Sequence, residues 1–339
     1  MMTAKEILDA LRAPDPEKLF AQAREVRDSV FGNEVYQRGV VEFSTHCRKN
    51  CHYCGLRCCN GQLERFSLDK ESIMGAAKSA IDAGLGTVVF QSGEDKAMDP
   101  RFIGNIIQSI KTYADVSVTL CLGDHGRDSY KFWRDCGADR YLLKMETFDK
   151  RLHAMLRPGQ SVSKRLDHLE MLCSLGYETG SGLITGLPGM TSEILAEDLS
   201  RLSGLPLDMI AVGPFIPHPD TPLGRFWAGS LDESLRATAL LRIMNPVANI
   251  PATSALDMLV SNGREQGLEV GANVVMPSVT PESVRAGYSI YPGKNSSVKS
   301  VLKNVAHLQQ RLRIAGYHPS SARGRSPMRT FKNKELLNE

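Results

Sequence analysis

The sequence has no long apolar run. None of its 339 residues falls in a stretch approaching the ~20 consecutive apolar residues that cross a bilayer. The opening segment also lacks the basic start and continuous apolar stretch of a secretion signal, so a soluble, cytoplasmic protein is expected, with no membrane partner. Nor is there an excess of one charge. The 41 basic and 38 acidic residues leave a net charge of +3 and are spread along the chain, which argues against a dedicated nucleic-acid surface and favours a small-molecule partner. There is no glycine-rich P-loop and no G-x-G-x-x-G after the first strand, which removes the usual signatures of nucleotide hydrolases and dinucleotide enzymes. No internal repeat is visible. Cysteine is absent after Cys173.

The pattern that remains is an alternating one. Residues 4–11 and 17–30 carry apolar side chains at helical spacing and read as an N-terminal helical extension covering 1–39. From Val40 onward, short β-branched runs alternate with amphipathic stretches: "VVEFS", "GTVVFQSG", "VSVTLCLG", "RYLLKMET", "YETGSGLITG", "DMIAVGPFIPH", "NIPATSAL" and "VGANVVMPS". Helices are expected between them, among others over 70–83, 101–112, 163–175, 193–202 and 231–244. Eight such units specify parallel strands with right-handed crossovers and predict an α/β fold, a (β/α)8 barrel over 40–319, with an open doubly wound sheet as the alternative. The barrel is favoured because polar residues such as Gln91, Thr119, Lys144, His218 and Thr253 gather toward the C-terminal ends of their strands, where barrel enzymes do chemistry. Residues 320–339 are small, basic and nearly free of large hydrophobes, and predict a flexible tail.

Cysteine is the concentrated resource. Five of the eight lie in "STHCRKNCHYCGLRCCN", directly after the first strand. In a reducing compartment clustered thiols point to metal or redox chemistry rather than disulfides. Cys136 and Cys173, isolated in helix-like segments, read as small hydrophobes. Cys47-x3-Cys51-x2-Cys54 places three thiols on one tight loop. Structural zinc wants four ligands from paired knuckles; His46 and His52 could supply the rest, but no second knuckle follows. An iron-sulfur cubane held by only three thiolates leaves one iron open to another ligand.

The three-cysteine spacing, with Tyr53 before the last cysteine, resembles the radical S-adenosylmethionine signature. The resemblance implies a [4Fe-4S] cluster on Cys47, Cys51 and Cys54 whose open iron chelates S-adenosylmethionine, reductive cleavage of that cofactor, and oxygen sensitivity. "QSGED" is similar to the family segment whose backbone and acid, here Gly93, Glu94 and Asp95, meet the methionine ammonium. Glu146 matches the acid that meets the ribose or amino group, Arg165 the arginine near the methionine carboxylate, and "GLITGLPG" and "GPFIPHP", with Ile216, the segments around the adenine. From about Phe43 to Lys294 the sequence looks like the HydE family of [FeFe]-hydrogenase maturases, related to methylornithine synthase and biotin synthase; "GPFIPHPDTPL", "NIPAT", "GANVVMPSVTP" and "YPGK" carry that likeness.

This narrower resemblance implies a closed cavity for a small amino-acid-derived or thiol-containing substrate. It would be lined by Gln91, Ser92, Thr119, Arg140, Thr253, Ser254, Met276 and Tyr288, with Arg140 holding an anion. It also implies a reduced electron donor such as ferredoxin or flavodoxin. Two alternatives are a methylornithine-synthase-like carbon-skeleton rearrangement of an amino acid and a non-catalytic cluster or metallocofactor carrier. The sequence departs from the family at Lys144-Met145, where Arg-His is usual before Glu-Thr, and at Cys121, where serine is usual. It carries no C-terminal cysteines for the second cluster of some maturases, and Cys58 and Cys59 stand outside the three-cysteine signature.

Overall fold

A computed structural model describes residues 2–95, 97–295 and 300–327. Its strands are β1 (Glu34–Ser44), β2 (Thr87–Ser92), β3 (Ser117–Cys121), β4 (Arg140–Leu142), β5 (Glu178–Thr185), β6 (Met209–Pro214), β7 (Val274–Val275) and β8 (His318–Ser320). Every ladder is parallel, in the order β6-β5-β4-β3-β2-β1-β7, with β8 added beside β1. The gap between β6 and β7 is spanned by the segment 249–252. Asn249 and Ala252 bridge to Met209 and Val212, and Pro251 bridges to Val274, so pairing runs around the ring.

The barrel expectation is met with three corrections. First, "NIPATSAL" forms isolated bridges rather than a strand. Pro251 has no N–H to give a ladder, and the Asn273 side chain takes the Ile250 N–H at 2.8 Å instead. Second, residues 34–39, expected within the helical extension, open β1, because "EVYQRG" extends the strand that begins to read as apolar only at Val40. Third, the segment from Ser320 is not a loose tail as far as Pro327. Ser320 ends β8, paired with Tyr36, and the carbonyls of Arg323 and Gly324 accept hydrogen bonds from Thr87, Arg140 and Asn249 at 2.8–3.0 Å. This segment seals the N-terminal floor of the barrel with backbone rather than side chains. The remainder of the expected tail, 328–339, lies outside the described residues.

Helices wrap the ring as the periodicity predicts. Helices α1 (Ala4–Arg12) and α2 (Glu17–Phe31) precede the barrel, α1 held by a Thr3–Glu6 capping box. Next come α3 (Lys70–Asp82), α4 (Pro100–Tyr113), α5 (Arg127–Asp135), α6 (Lys150–Leu156), α7 (Val162–Ser174) and α8 (Ser192–Ser203). They are followed by α9 (Leu231–Met244), α10 (Gly263–Glu269), α11 (Glu282–Arg285) and α12 (Val301–Ile314). Asp69, Asp99, Asp149, Ser161, Thr191 and Ser230 each accept a backbone N–H at the start of a helix, fixing where β-to-α loops end. These loops lie at the C-terminal strand ends; those after β2, β4 and β5 are short, whereas those after β1, which carries the cysteines, and after β6 are long.

Candidate active site

The cysteine loop crosses the C-terminal mouth of the barrel. Its backbone is tied to neighbours on several sides: Arg48 N–H donates to the Glu94 carbonyl (2.8 Å), His52 N–H to Leu156 (2.8 Å) and Gly55 N–H to Ile290 (3.1 Å). Gly93 lets the β2 end come this close. Any Cβ there would lie 2.2 Å from the His46 carbonyl oxygen and 2.8 Å from Cys47 Cβ. Beneath the loop is a cavity of about 340 Å³ lined by all three signature thiols together with Tyr53, Gly93, Glu94, Glu146, Arg165 and Ile216. Among the residues expected to meet substrate, Gln91, Ser92, Thr253, Ser254 and Tyr288 line the same space.

Two acids line the cavity. Glu94 is buried against Lys49 (3.3 Å) and Arg48 and accepts the Asp124 N–H at 2.9 Å; its own N–H points to Cys47 Sγ at 3.4 Å. Asp124 in turn meets Lys49 at 3.0 Å and pairs with Arg165. Glu146 follows β4 with φ of 68°, the one non-glycine in the left-handed region among the described residues. That backbone costs on the order of 1–3 kcal/mol and is held by two hydrogen bonds to the adjoining edge of β5, Glu146 N–H to Gly182 and Ile184 N–H to Glu146, each 3.0 Å. Its carboxylate accepts from the Tyr53 hydroxyl (3.0 Å) and pairs with Lys144 (3.0 Å).

The thiols suit a multinuclear group better than one ion. Cys47, Cys51 and Cys54 line the cavity together, whereas His46, which could complete a zinc set, is exposed and lines no part of it. Burial pushes the Cys51 thiol up to about 11 and the Cys54 thiol higher, each raised further by the other thiols. Such groups become thiolates at neutral pH only when a metal takes the proton's place. Arg157 sits beside Cys51, Tyr53 and Glu146; burial opposes its charge, but those neighbours hold the guanidinium proton more tightly still. Its Nε has no hydrogen-bond partner, and the buried Thr253 hydroxyl has none either, so both remain free for something bound in the cavity.

Four expected site residues lie elsewhere. Asp95 turns away and accepts the Ala97 N–H at 2.9 Å, the role of a turn-capping acid. Arg140 points to the floor: it pairs with Glu178 (2.5 Å), donates to Thr87 (3.1 Å) and to the carbonyls of Arg323 and Gly324, and lines no part of the cavity. A strand three residues long cannot present both Arg140 and Lys144 at the mouth, and Arg140 starts it. Thr119, in register with Arg140, is fully buried and lines neither chamber. Met276 lines a second chamber of about 450 Å³ deeper in the barrel and reaching toward α10–α12. The two chambers share Gln91, Leu142, Lys144, Thr253, Ser254 and Lys294. Lys49, Asp124, Arg157, Lys294 and Glu42 are site residues that sequence reading missed. Lys294 pairs with buried Glu42 at 2.6 Å, and only a charge inside strand β1 hinted at that carboxylate.

Residues 41–202 match the Radical SAM superfamily, and the chain is 48% identical over 278 residues, 82% of its length and 80% of the relative's, to the [FeFe] hydrogenase maturase subunit HydE of Thermotoga maritima. The chain belongs to the radical SAM superfamily. It is also 31% identical over 306 residues to the 3-methylornithine synthase of Methanosarcina barkeri, covering 90% of this chain and 85% of that one. The crystal structure of methylornithine synthase PylB superposes with a TM-score of 0.85 over 94% of each chain at 29% identity. Membership makes the chain a radical SAM enzyme related to HydE, on a TIM-barrel-like fold, and implies a [4Fe-4S] cluster and S-adenosylmethionine as cofactors. Among the described residues no helix is long and apolar enough to cross a membrane.

Proposed function

We propose that this chain is a HydE-like enzyme of [FeFe]-hydrogenase cofactor assembly, acting on a small amino-acid-derived or thiol-containing substrate. The observation that carries the reading is the joint lining of one roofed cavity by Cys47, Cys51, Cys54, Glu94 and Glu146 at the C-terminal mouth of the barrel. Cys47, Cys51 and Cys54 would hold the cluster, which would supply the electron for reductive cleavage of S-adenosylmethionine. Glu94 and the Gly93 backbone are assigned to the methionine ammonium, Arg165 to its carboxylate, Glu146 with Tyr53 to the ribose, and Ile216 to the adenine. In the structure Arg165 is already paired with Asp124, so a bound carboxylate would share that guanidinium. Asp95 is not assigned a role.

The substrate space is the junction of the two chambers. Lys144 and Lys294 both line it, each with a carboxylate partner, Glu146 or Glu42, so a zwitterionic ligand would find cations and anions there without leaving a buried charge unpaired. Gln91, Ser92, Thr253, Ser254, Met276 and Tyr288 complete the assignment. The cysteine loop borders this space through Cys47, Lys49, Cys51, Tyr53 and Cys54. The electron donor is assigned to the ferredoxin or flavodoxin class. The superposition with methylornithine synthase supports a second reading, rearrangement of an amino-acid skeleton in the same space.

Anaerobic reconstitution with iron and sulfide, reduction, and chromatography for 5′-deoxyadenosine tests these assignments. Wild type is expected to yield the nucleoside and Cys51→Ala none. Stimulation by cysteine-derived compounds supports the maturase reading and stimulation by lysine the rearrangement. A reduced cubane without 5′-deoxyadenosine under either condition supports the carrier.

A further inference from the structure

Cys58 and Cys59 take no part in the site described above. Both are exposed, and their sulfurs lie 3.7 Å apart. That is far beyond the ~2.05 Å of a disulfide bond. At this separation one thiol donates to the other, and two thiolates on one tetrahedral ion, each at about 2.3 Å, would stand roughly 3.8 Å apart, so an ion could replace the shared proton with little movement of the sulfurs.

The backbone that presents them is fixed. Cys58 N–H donates to the Lys49 carbonyl at 2.8 Å, Arg65 donates to the Arg57 carbonyl at 2.7 Å, and Asn60 closes the turn with bonds to Gly55 (2.7 Å) and Arg57 (3.0 Å). Holding two thiols on a braced turn removes much of the ordering cost that a metal ion would otherwise meet.

We propose that Cys58 and Cys59 form a separate, two-thiolate site for a thiophilic divalent cation, bound at the outer rim of the cysteine loop. Among the described residues no third His, Cys, Asp or Glu joins them, so two positions on the ion stay open to water or to an incoming ligand. Binding releases the two thiol protons to solvent and involves no redox change. An ion with two open positions exchanges readily, unlike one in a closed four-ligand site.

The test is equilibrium dialysis of the full-length, cluster-reconstituted protein against Cd2+ under anaerobic conditions, with metal analysis and cluster absorbance read together. Wild type is expected to take up one more Cd2+ per chain than Cys58→Ser or Cys59→Ser, with the cluster absorbance equal in all three and uptake by Cys121→Ser equal to wild type. Cadmium-113 NMR of the wild type is expected to show a two-sulfur environment that both serine variants lack. Equal uptake by wild type and both variants, or no uptake by wild type, overturns the proposal. The comparison is a difference between variants, so it stands even if no cluster assembles on Cys47, Cys51 and Cys54. That failure would appear instead as absent cluster absorbance.

Discussion

Tyr53 donates its hydroxyl hydrogen to Oε1 of Glu146 across 3.0 Å, joining the cysteine loop to the end of β4. The first residue lies between two cysteines of the signature and the second holds the strained backbone turn of the site. Burial and the neighbouring Glu146 keep the Tyr53 phenol protonated, so it can only donate here. Tyr53→Phe is expected to lower 5′-deoxyadenosine formation about tenfold to a hundredfold, as loss of a hydrogen bond to a charged group does, while iron content stays at the wild-type level. Parallel iron analysis and nucleoside chromatography check this; a fall in iron content would make the tyrosine a determinant of loop folding instead.

The left-handed backbone at Glu146 gives a second expectation. Glycine meets no steric cost at φ of 68°, whereas alanine does. Both substitutions remove the carboxylate, so Glu146→Gly is expected to be about 1–2 kcal/mol more stable than Glu146→Ala by urea denaturation, with both inactive. Equal stability would mean that the loop relaxes out of the left-handed region once the side chain is gone.

Arg140 separates a structural from a substrate role. Arg140→Met leaves Glu178 buried without its partner and frees the carbonyls of Arg323 and Gly324, so a loss on the order of 3–5 kcal/mol of stability is expected. KM for the substrate, measured on the folded fraction, is expected to change by no more than about twofold. A large rise in KM with little loss of stability would return this arginine to the cavity.

Asp198 provides a pH signature. Burial raises its carboxyl to about 6, although the Thr147 hydroxyl (2.6 Å) and the Phe148 N–H (2.8 Å) oppose the shift. The folded value lies above the unfolded one of roughly 3.9, so its contribution is fully present below about pH 4 and is lost as pH rises through about 6. Urea midpoints across that range are expected to decline in wild type by on the order of 2 kcal/mol relative to Asp198→Asn. Parallel pH profiles for the two proteins would refute the assignment.

Gly93→Ala is expected to reduce iron incorporation on reconstitution, because the added methyl meets the His46 carbonyl oxygen at 2.2 Å and must displace the loop that carries Cys47. Iron and sulfide analysis after reconstitution checks it; full incorporation would show that the loop yields without cost.

Much of the fold was legible because it follows from local periodicity. The helices over 70–82, 162–174 and 231–244 match apolar spacing and capping residues that a short window contains. The cysteine spacing, Glu94 and Glu146 are likewise local, each set by its place at a strand end. The stretch "NIPATSAL" reads as a strand yet forms only bridges, because the Ile250 N–H goes to Asn273, a partner beyond any short window. The floor is hidden from the sequence for a related reason. Residues 320–327 have little apolar surface to announce burial, and their use is as carbonyl acceptors for Arg140 and Asn249 on distant strands.

The alternation of strands and helices, the three thiols on one loop and the acids beside them follow from spacing between near neighbours. Which way each charge faces is a property of the assembled barrel. It sent Arg140 to the floor and brought Lys144, Lys294 and Glu42 to the chamber junction. It also paired Asp124 with Arg165 and brought the sulfurs of Cys58 and Cys59 to 3.7 Å. The physical reason is that a buried charge goes where a partner awaits it, and that partner is supplied by strands and loops far away in the chain.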